Sequence, residues 1–459
     1  MSIDLPKFAQ AINPASPLQP GMYIDFSGVR GGPAIDKLFN RISRLSPDRP
    51  TCALFTGHIG CGKSTELMRL QKKLEEDGFF VVYFESSTDL ELADVDIVDV
   101  LLVIARRITE QLGSLKVQEP KGFKNLLHQA ANLLQTDITA SAKVNVPGMG
   151  TIVASTEGSL SVETAMGNLN ATLEEGISIS AGIGAVTLRA KNDSGLRQRL
   201  NQYLGPQKTE LLRLINAELI EPAIVQLKAQ GKKGLAVIVD NLDRIDNRVK
   251  TLTKRQDEYL FVDQGDILNK LQCHVVYTMP LALRFSNEYG NLLQRFSPPQ
   301  VLPMVLIRHQ DGRDCEEGIA LLKQMVLSRV FPNLSESDRL AQVTEIFDEE
   351  ESLDYLCRMS GGHVRDLLRM LSEWLEEEMD LPLTRDTLED VLNNIASEMK
   401  LRISEQEWDK LRQVKATQRV SDELGYDDLI RSRMVFEYQE KKVSWFAVNP
   451  LLLDSPELG

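Results

Sequence analysis

The chain has 459 residues, of which 42% are hydrophobic and 26% charged, and its formal net charge is −14 at pH 7. The length is sufficient for roughly two to four domains, and the composition is that of an ordinary globular protein. The negative balance argues against a protein that coats nucleic acid non-specifically, although a local basic face is still compatible with it.

Cysteines, histidines and apolar runs narrow the class of protein further. The five cysteines show no C-x-x-C spacing and the five histidines are dispersed, so neither a disulfide framework nor a zinc site is predicted. The N-terminus lacks the basic start and apolar core of a signal peptide, and no apolar run reaches the length of about 18 residues that a membrane helix needs. We therefore expect a reduced, cytoplasmic protein and do not expect a membrane partner.

The first part of the chain contains a phosphate-binding pattern. We assign residues 1–21 to an N-terminal arm and residues 22–112 to the first half of an α/β nucleotide-binding core. Within that half, the stretch LFTGHIGCGKSTELMRL fits G-x-x-x-x-G-K-[ST]. The apolar run TCALFTG before it predicts a buried parallel strand, and leucines at helical spacing after it predict a helix. Strand, glycine-rich loop and helix together form the arrangement that cradles nucleotide phosphates.

The chemistry of such a loop predicts its ligands. Glycines let backbone N–H groups approach phosphate closely, and the N-terminus of the following helix adds positive potential. Lys63 would reach the β- and γ-phosphates and Ser64 would ligate Mg²⁺, so ATP and Mg²⁺ are the predicted cofactors. We interpret Cys61 as a small loop filler rather than a redox switch. The predicted loop contacts to nucleotide are Gly57, His58, Ile59, Gly60, Cys61, Gly62, Lys63, Ser64 and Thr65.

A long insertion follows the next predicted strand, FFVVYFESS (Phe79–Ser87), and we place it at residues 113–216. It has no aromatic residue between Phe123 and Tyr203, and its small or polar residues alternate with aliphatic ones, which predicts β-hairpins followed by a helix. Because such hairpins bury little area, three readings stay open: a flexible surface insertion, a contact with an oligomer or partner, and a membrane-inserting hairpin without the usual aromatic girdle. The predicted strand faces carry Ile138, Ala140, Ala142, Val144 and Val146, and Ile177, Ile179, Ala181 and Ile183.

The second half of the core spans residues 217–310. In GLAVIVDNLDR, an apolar strand ends at Asp240, and a carboxylate at the carboxyl end of a parallel strand faces the ligand crevice. We therefore predict that Asp240 holds Mg²⁺. Two more segments follow: VVYTMP, a strand ending in Thr278, and NLLQRF, which carries Arg295 ahead of a proline-rich break.

Residues 311–380 are predicted to form a helical lid, in which a Gly-Gly turn leads into a helix with Arg365 in its first turn. Residues 381–459 show helices followed by a strand, a Lys-Lys turn and a second strand, which is the winged-helix order. This region has about as many acidic as basic residues and no basic recognition helix, so DNA binding is only weakly supported. Its alternating apolar residues, predicted to be core, are Phe436, Tyr438, Val443 and Trp445.

The ordered set of motifs resembles that of AAA+ ATPases and of the related STAND and origin-recognition ATPases. By this resemblance, which spans roughly residues 22 to 380 apart from the insertion, Thr278 would sense the γ-phosphate and Arg365 would contact phosphate from the lid. Arg295 would reach the ATP of a neighbouring subunit, and Arg30 would contact the adenine side of the nucleotide. The motifs that correspond to Walker A, Walker B, sensor 1, the arginine-finger region and sensor 2 are GHIGCGKST, GLAVIVDNLDR, VVYTMP, LLQRF and GGHVRDLLR.

The chain departs from the family pattern directly after Asp240. Many AAA+ enzymes have Glu there to polarise the attacking water, whereas this chain has Asn241, which can orient water but is not a useful proton acceptor. Asp243 is the nearest other carboxylate and therefore the candidate base of hydrolysis, and the D-N-L-D-R stretch looks like the D-D-L-D-R of KAP-type and some STAND ATPases. A slow hydrolysis timer is therefore favoured over a fast motor.

Three functions remain in view. We favour an ATP-binding, slowly hydrolysing switch of the AAA+/STAND type that oligomerises with nucleotide and signals to an unknown protein partner through its insertion or C-terminal region. A DNA-binding regulator of replication or transposition and a membrane-associated KAP-like ATPase are the alternatives. Salt-dependent DNA binding would identify the second function, and co-sedimentation with liposomes the third.

Overall fold

A five-stranded parallel sheet organises the protein. The computed structural model describes residues 3–14, 21–113, 120–135, 143–146, 150–154, 160–164, 167–169, 183–184, 187, 190–420 and 425–459. In the central sheet the strands lie in the order β2-β7-β8-β1-β9, and every neighbouring pair is parallel. The strands are β1 Cys52–Thr56, β2 Phe80–Glu85, β3 Lys143–Val146, β4 Gly150–Ala154, β5 Leu160–Thr164, β6 Gly167–Leu169, β7 Leu235–Asp240, β8 His274–Met279, β9 Gln300–Val301, β10 Val435–Glu440 and β11 Val443–Val448.

Helices cover the central sheet on both sides, and the predicted α/β phosphate-loop fold is confirmed. Short π-helical turns at Asn40–Leu45, Ile215–Ile220 and Tyr259–Asp263 continue three of the helices. The helices are α1 Leu5–Ile12, α2 Ala34–Phe39, α3 Lys63–Glu76, α4 Ser86–Asp89, α5 Ile97–Gln111, α6 Lys121–Gln135, α7 Ser194–Leu204, α8 Lys208–Leu214, α9 Glu221–Ala229, α10 Gln256–Glu258, α11 Gly265–Leu268, α12 Tyr289–Leu293, α13 Glu316–Val330, α14 Glu336–Leu340, α15 Glu350–Met359, α16 Val364–Glu378, α17 Arg385–Lys400, α18 Glu405–Thr417 and α19 Asp427–Arg431.

The two faces of the sheet belong to two separate cores. Because successive strand residues point to opposite faces, Leu54 on β1 packs with α5 and the insertion helices, whereas Phe55 packs with α3 and the helices of the predicted lid. Both side chains are fully buried, as expected for parallel strands that are covered on both sides. The continuous apolar runs of the sequence therefore have a direct structural cause.

The insertion contains the predicted hairpins, but one predicted strand is wrong. Strands β3 to β6 form an antiparallel four-stranded sheet, and Val144 and Val146 lie on β3. Ile183, expected on a strand, is helical instead, because this conformation buries its side chain in the same core as α5; the Thr187 hydroxyl also donates to the Ile183 carbonyl oxygen at 2.9 Å. The remaining residues of the two predicted faces, Ile138, Ala140, Ala142, Ile177, Ile179 and Ala181, lie outside the described residues.

The parts of the insertion that flank β3 to β6 contribute to the main core. Phe123 on α6 and Leu200 and Leu204 on α7 are buried in the cluster that covers one face of the central sheet. The phenyl ring of Phe123 is fully enclosed, although the aromatic-poor stretch begins directly after it. The segment therefore supplies helices to the nucleotide-binding core as well as a sheet of its own.

The C-terminal region has the predicted order of helices followed by a hairpin. Helices α17, α18 and α19 precede β10 and β11, which pair in antiparallel fashion around a turn in which Lys441 and Lys442 have positive φ. Phe436, Tyr438 and Trp445 are buried as predicted. Val443 is 61% exposed, because it lies directly after the turn, at the free end of the hairpin.

Candidate functional site

The glycine-rich loop between β1 and α3 is folded too tightly for side chains at its glycines. Gly60 and Gly62 have φ of 97° and 104°, which glycine adopts without strain. A Cβ on Gly60 would lie 2.7 Å from the His363 ring, and a Cβ on Gly57 would lie 2.4 Å from the Leu302 carbonyl oxygen. The loop is therefore held between β1, the segment after β9 and the lid, and α3 begins at Lys63 directly behind it.

Lys63 occupies the centre of this loop. Its ammonium donates to the carbonyl oxygens of Gly57 and His58, at 2.8 Å each, and pairs with Asp243 Oδ2 at 2.9 Å. Burial pushes the pKa of Lys63 down, but the neighbouring carboxylates, Asp243 first, outweigh burial and hold this pKa above its ordinary value. The predicted phosphate-binding cation is thus charged and already paired with the carboxylate that we considered as a base.

Asp240 lies at the predicted position, at the carboxyl end of β7. It is 1% exposed, its Oδ2 accepts from the Tyr83 hydroxyl at 2.7 Å and its Oδ1 accepts from the Asn241 N–H at 2.6 Å. Burial, reinforced by the Asp240 charge, raises the pKa of Tyr83, so this hydroxyl stays a donor. These two hydrogen bonds fix the carboxylate at the same edge of the sheet as the N-terminus of α3, where Ser64 lies.

The residues at this edge fit Mg²⁺ better than a metal that needs an all-protein cage. Among the described residues no group of three or more His, Cys, Asp or Glu could hold a metal ion. Mg²⁺ characteristically takes one or two carboxylates, waters and phosphate oxygens. Ser64 and Asp240 supply a hydroxyl and one buried carboxylate, which leaves the remaining positions to phosphate and water.

Asn241 connects the end of β7 to the end of β2. Its backbone is left-handed, with φ of 62°, a conformation that Asn tolerates better than most residues. Its side-chain amide donates to Glu85 Oε2 at 3.0 Å. Sequence reasoning missed Glu85, although it stands at the carboxyl end of a predicted parallel strand, which is the same signal that identified Asp240.

Thr278 fixes the turn that follows Asp240. Its Oγ1 accepts from the backbone N–H groups of Leu242 and Asp243, at 2.9 and 3.4 Å, and its side chain is fully buried. Contact with a γ-phosphate, which the resemblance implies for Thr278, stays a prediction. In this structure the hydroxyl acts on the backbone that carries Asp243.

Arg30 reaches the phosphate loop from the N-terminal segment. Its Nη2 donates to the Cys61 carbonyl oxygen at 2.8 Å, its guanidinium lies over the Phe26 ring, and its buried Nε has no hydrogen-bond partner among the described residues. Burial lowers the pKa of Arg30. The Cys61 thiol is buried with its Sγ 3.6 Å from the Leu302 carbonyl oxygen, which is consistent with a loop filler.

Arg365 approaches the loop from the lid. Its backbone N–H donates to the Gly60 carbonyl oxygen at 3.2 Å. Burial, together with the neighbouring cations Arg244 and Arg433, lowers the pKa of Arg365. Arg244 and Arg365 form no ion pair within the part of the chain that the structure describes, although the Asp366 carboxylate acts on Arg365 in the opposite direction to the two cations.

Arg295 lies away from the other site residues. Its Nη1 donates to the Asn291 carbonyl oxygen at 3.2 Å and its Nε is 3.6 Å from Asp266 Oδ2. Its side chain is 28% exposed. Neither contact is with another predicted site residue, so a role in the catalysis of a neighbouring subunit stays a prediction, and the pairing with a surface carboxylate is the role that a single protomer supports.

The C-terminal hairpin contacts the phosphate loop directly, a feature that sequence reasoning missed. The Glu437 N–H on β10 donates to His58 Nε2 at 2.9 Å, and the His58 ring packs edge-on against Phe436. Burial lowers the pKa of His58 well below its ordinary value, so the ring is neutral and its Nε2 can accept this hydrogen bond. From the lid, His363 Nε2 lies 2.9 Å from the Ile59 carbonyl oxygen, and its ring stacks on Phe436.

An ion pair holds this hairpin in place. Glu437 is fully buried, and both of its carboxylate oxygens accept from Arg284 Nη1, at 2.7 and 2.6 Å. Arg284 belongs to the turn directly after β8, so the pair joins the C-terminal region to the edge of the sheet that carries the site. A cavity of about 20 Å³ between the loop and α19 is lined by His58, Asp243 and Arg431, among other residues.

Comparisons with known proteins give distant structural likenesses. No protein-family model and no curated protein matches the chain. Among solved structures, the chain is similar to the Aeropyrum pernix ORC2 protein in ADPNP–ADP complexes, with 12% identity, 91% of this chain and 88% of that chain covered, and a TM-score of 0.37. It is also similar to Cdc6p from Pyrobaculum aerophilum (10% identity, 93% and 91% covered, TM-score 0.36) and to the Aeropyrum pernix ORC1 protein in complex with DNA (11% identity, 92% and 93% covered, TM-score 0.34). These values are too low to transfer a property of those proteins to this chain.

None of the helices in the described ranges has both the length and the apolar character needed to cross a bilayer.

Proposed function

We propose that this protein is an ATP-dependent molecular switch of the AAA+/STAND type, in which the state of the phosphate loop controls the position of the C-terminal region. The observation that carries the proposal is the hydrogen bond from the Glu437 backbone N–H to His58 Nε2. It joins a residue inside the nucleotide-binding loop to a strand 379 positions away in the sequence. A change in the loop on binding phosphate therefore acts directly on the C-terminal hairpin.

The charges around the loop support ATP as the ligand. Lys63, Arg244 and Arg365 bring three cations to one end of the sheet, and only Lys63 is paired there with a carboxylate. Asp243 pairs with the ammonium of Lys63, at the position where we expect a phosphate oxygen of ATP. Binding ATP would thus exchange an internal anion for an external one, and Ser64 and Asp240 would hold Mg²⁺ beside it.

The same contacts favour a switch over a fast motor. The lid and strand β10 both contact the phosphate loop, so these elements have to rearrange before or during nucleotide binding. Such steps commonly limit turnover more than the chemistry does. We propose slow ATP hydrolysis that resets the C-terminal region, with assembly into a homo-oligomer in the ATP state.

Hydrogen exchange measured with and without nucleotide tests this proposal. In the presence of Mg²⁺ and ATP we expect faster exchange of the β10 amides, that of Glu437 above all, whereas ADP should change them less. The Lys63→Ala protein, which should not bind ATP, is the matched control and should show no nucleotide-dependent change. If ATP binds but leaves the exchange of β10 unaltered, the protein binds nucleotide without being this switch. If no nucleotide binds at all, the assignment of the loop is wrong.

DNA readout by α19 is not part of the proposal. In this arrangement α19 faces the core: Arg431 Nη1 donates to the Ile245 carbonyl oxygen at 3.1 Å, and Asp427 pairs with Arg255. Asp427 and Arg431 are therefore engaged inside the molecule, whereas Asp428 is exposed. Salt-dependent binding of duplex DNA by the full chain would show that another surface, or a rearranged C-terminal region, has that role.

A further inference from the structure

Glu85 lies where a second catalytic carboxylate could act. It is the last residue of β2, and the parallel register between β2 and β7 pairs it with Asp240. Neighbouring strands are separated by only about 4.8 Å, so the ends of β2 and β7 face the same space. Asp240 and Asp243 are 1% and 3% exposed, whereas Glu85 is partly exposed and accessible to water.

The hydrogen-bond partners of Glu85 orient its carboxylate and leave its charge available. Asn241 Nδ2 donates to Glu85 Oε2 at 3.0 Å and lies 3.4 Å from Ser87 Oγ. Within the described part of the chain, no Lys, Arg or His forms an ion pair with Glu85. Its remaining lone pairs can accept hydrogen bonds from a water molecule.

The other candidates are less suited to accept a proton. The carboxylate of Asp243 is committed to Lys63 at 2.9 Å in a buried pair. Asn241 has an amide, which orients water but does not take up a proton at neutral pH. The Asn241 amide thus lies directly after the end of β7, and the Glu85 carboxylate lies at the end of the adjacent strand β2.

We propose that Glu85 is the general base of ATP hydrolysis and that Asn241 positions it. This inference rests on the proposed ATPase function of the same site. The oxygen of a water molecule attacks the γ-phosphorus while one of its protons passes to the Glu85 carboxylate. The bond between the γ-phosphorus and the β,γ-bridging oxygen breaks, ADP leaves with the bonding electron pair, and the proton is then released from Glu85 to the phosphate product or to solvent.

The Glu85→Gln variant tests the assignment, because glutamine keeps an oxygen for Asn241 Nδ2 but does not accept the proton. We expect the hydrolysis rate to fall by about 10²- to 10⁴-fold. The affinity for ATP should stay within about threefold of the parental value, and the nucleotide extracted from the protein should be ATP instead of ADP. Glu91→Gln, a change of the same kind a few residues further along the chain, is the control and should behave like the parental protein.

An exchange of the two side chains provides a sharper test. The Glu85→Asn variant alone should not hydrolyse ATP. In the double variant Glu85→Asn with Asn241→Glu, the hydrolysis rate should be at least about tenfold higher than in Glu85→Asn, because a carboxylate returns to the same space from the neighbouring strand. A double variant that binds ATP but is no faster than Glu85→Asn would count against this exchange of roles.

The outcomes separate this inference from the proposed function. If Glu85→Gln hydrolyses ATP within about threefold of the parental rate, Glu85 is not the base. If the parental protein binds ATP and releases β10 without hydrolysing ATP, the base assignment fails while the switch stands. If the parental protein binds no nucleotide, the proposed function itself fails.

Discussion

At the phosphate loop, one buried ion pair determines which charges an incoming nucleotide meets. Lys63 and Asp243 are both almost completely buried, so their charges have little access to water, and each is costly to leave without the other. The pair therefore stabilises this conformation of the loop. If phosphate binds at Lys63 as we propose, the pair opens, and the free energy of ATP binding then depends on the free energy of breaking it.

Removal of the cation is the first test at the scale of the residue. We expect Lys63→Ala to weaken ATP binding by at least about 100-fold, because the variant lacks the ammonium that neutralises the β- and γ-phosphates. Binding of a fluorescent ATP analogue to the folded variant measures this loss. Lys72→Ala changes an exposed lysine of the same helix and should bind ATP normally. Equal affinity of the parental and Lys63→Ala proteins would show that phosphate binds elsewhere.

The second residue-scale test removes the internal anion. Asp243→Asn frees Lys63 from its ion pair, so we expect tighter ATP binding, by about tenfold, and lower thermal stability without nucleotide, since the buried ammonium loses its counter-charge. Added ATP should restore the stability of this variant more than that of the parental protein. If Asp243 were the base, turnover would stop while binding persisted; with Glu85 as the base, turnover continues. Unchanged ATP affinity would contradict the internal-anion role.

At the scale of the element, helix α5 begins with a carboxyl group that makes folding sensitive to pH. Asp99 accepts from the Asp96 N–H at 2.9 Å, and burial raises its pKa to about 7 from an ordinary 3.8. At pH values between 3.8 and about 7, Asp99 keeps a proton in the folded protein that it has released in the unfolded chain. Asp99 therefore adds to the free energy of unfolding below this pH range, and its contribution is lost as the pH rises through the range.

We expect Asp99→Asn to reduce this dependence on pH. Asparagine keeps an oxygen for the Asp96 N–H and carries no charge, so the variant should lose less stability between pH values of about 4 and 7 and should melt higher than the parental protein above pH 7. Thermal unfolding as a function of pH measures the effect. Asp454→Asn, at an exposed position, is the control. Parallel pH profiles for parental and Asp99→Asn proteins would contradict the assignment.

A buried ion pair, together with the contacts of Glu437 and Phe436 to His58, holds strand β10 against the phosphate loop. Arg284→Ala leaves the fully buried Glu437 carboxylate without its cation, a loss that costs about 3–5 kcal/mol for buried pairs. We expect faster hydrogen exchange in β10 and β11 of this variant and little change in β1 or β7. Arg313→Ala, which removes an exposed pair with Asp311, should leave β10 unchanged. Uniform loosening of the whole molecule would indicate a global effect in place of local release.

At the scale of the whole molecule, one edge of the central sheet gathers the N-terminal segment, the lid and the C-terminal region around the same loop. Arg30, Arg365 and Glu437 come from these three parts, and each makes a hydrogen bond to a loop residue. If nucleotide binds at this edge as we propose, a change in the loop at the phosphates would reach elements that are far apart in the sequence.

Arg295, the predicted arginine finger, concerns the assembly of several molecules, because its predicted action is on the ATP of a neighbouring subunit. If Arg295 stabilises the γ-phosphoryl group of a neighbour, an effect of about 10³ to 10⁵ in rate is expected for an arginine finger. Asp240→Asn protein has an intact finger and a damaged metal site, and Arg295→Ala protein has the reverse. Mixing the two should restore part of the ATPase activity that each lacks alone.

The mass in solution with ATP, with ADP and without nucleotide provides the control for mixing, because recovery requires co-assembly. If mixed assemblies of demonstrated composition recover no ATPase activity, the pairing with the surface residue Asp266 is the role that is left for Arg295. Full activity of Arg295→Ala protein alone would exclude the finger directly.

Much of the fold could be predicted from local patterns in the sequence. The apolar runs before Gly57 and before Asp240 are strands because residues buried on both faces must be apolar, and the leucines after Ser64 form a helix because they recur at helical spacing. The helices and hairpin of the C-terminal region follow from the same kinds of pattern. These features depend on residues that are neighbours in the sequence, so one sequence is sufficient to recognise them.

Tertiary structure decided which side chains meet. Glu85 and Asn241 are 156 positions apart, and only the pairing of β2 with β7 brings them into contact. The contact of Glu437 with His58 depends in the same way on how the C-terminal region packs. Ile183 became helical because burial beside α5 outweighed its alternating pattern. Strand register and domain packing set these contacts through the sum of many distant interactions, which local periodicity and spacing do not contain.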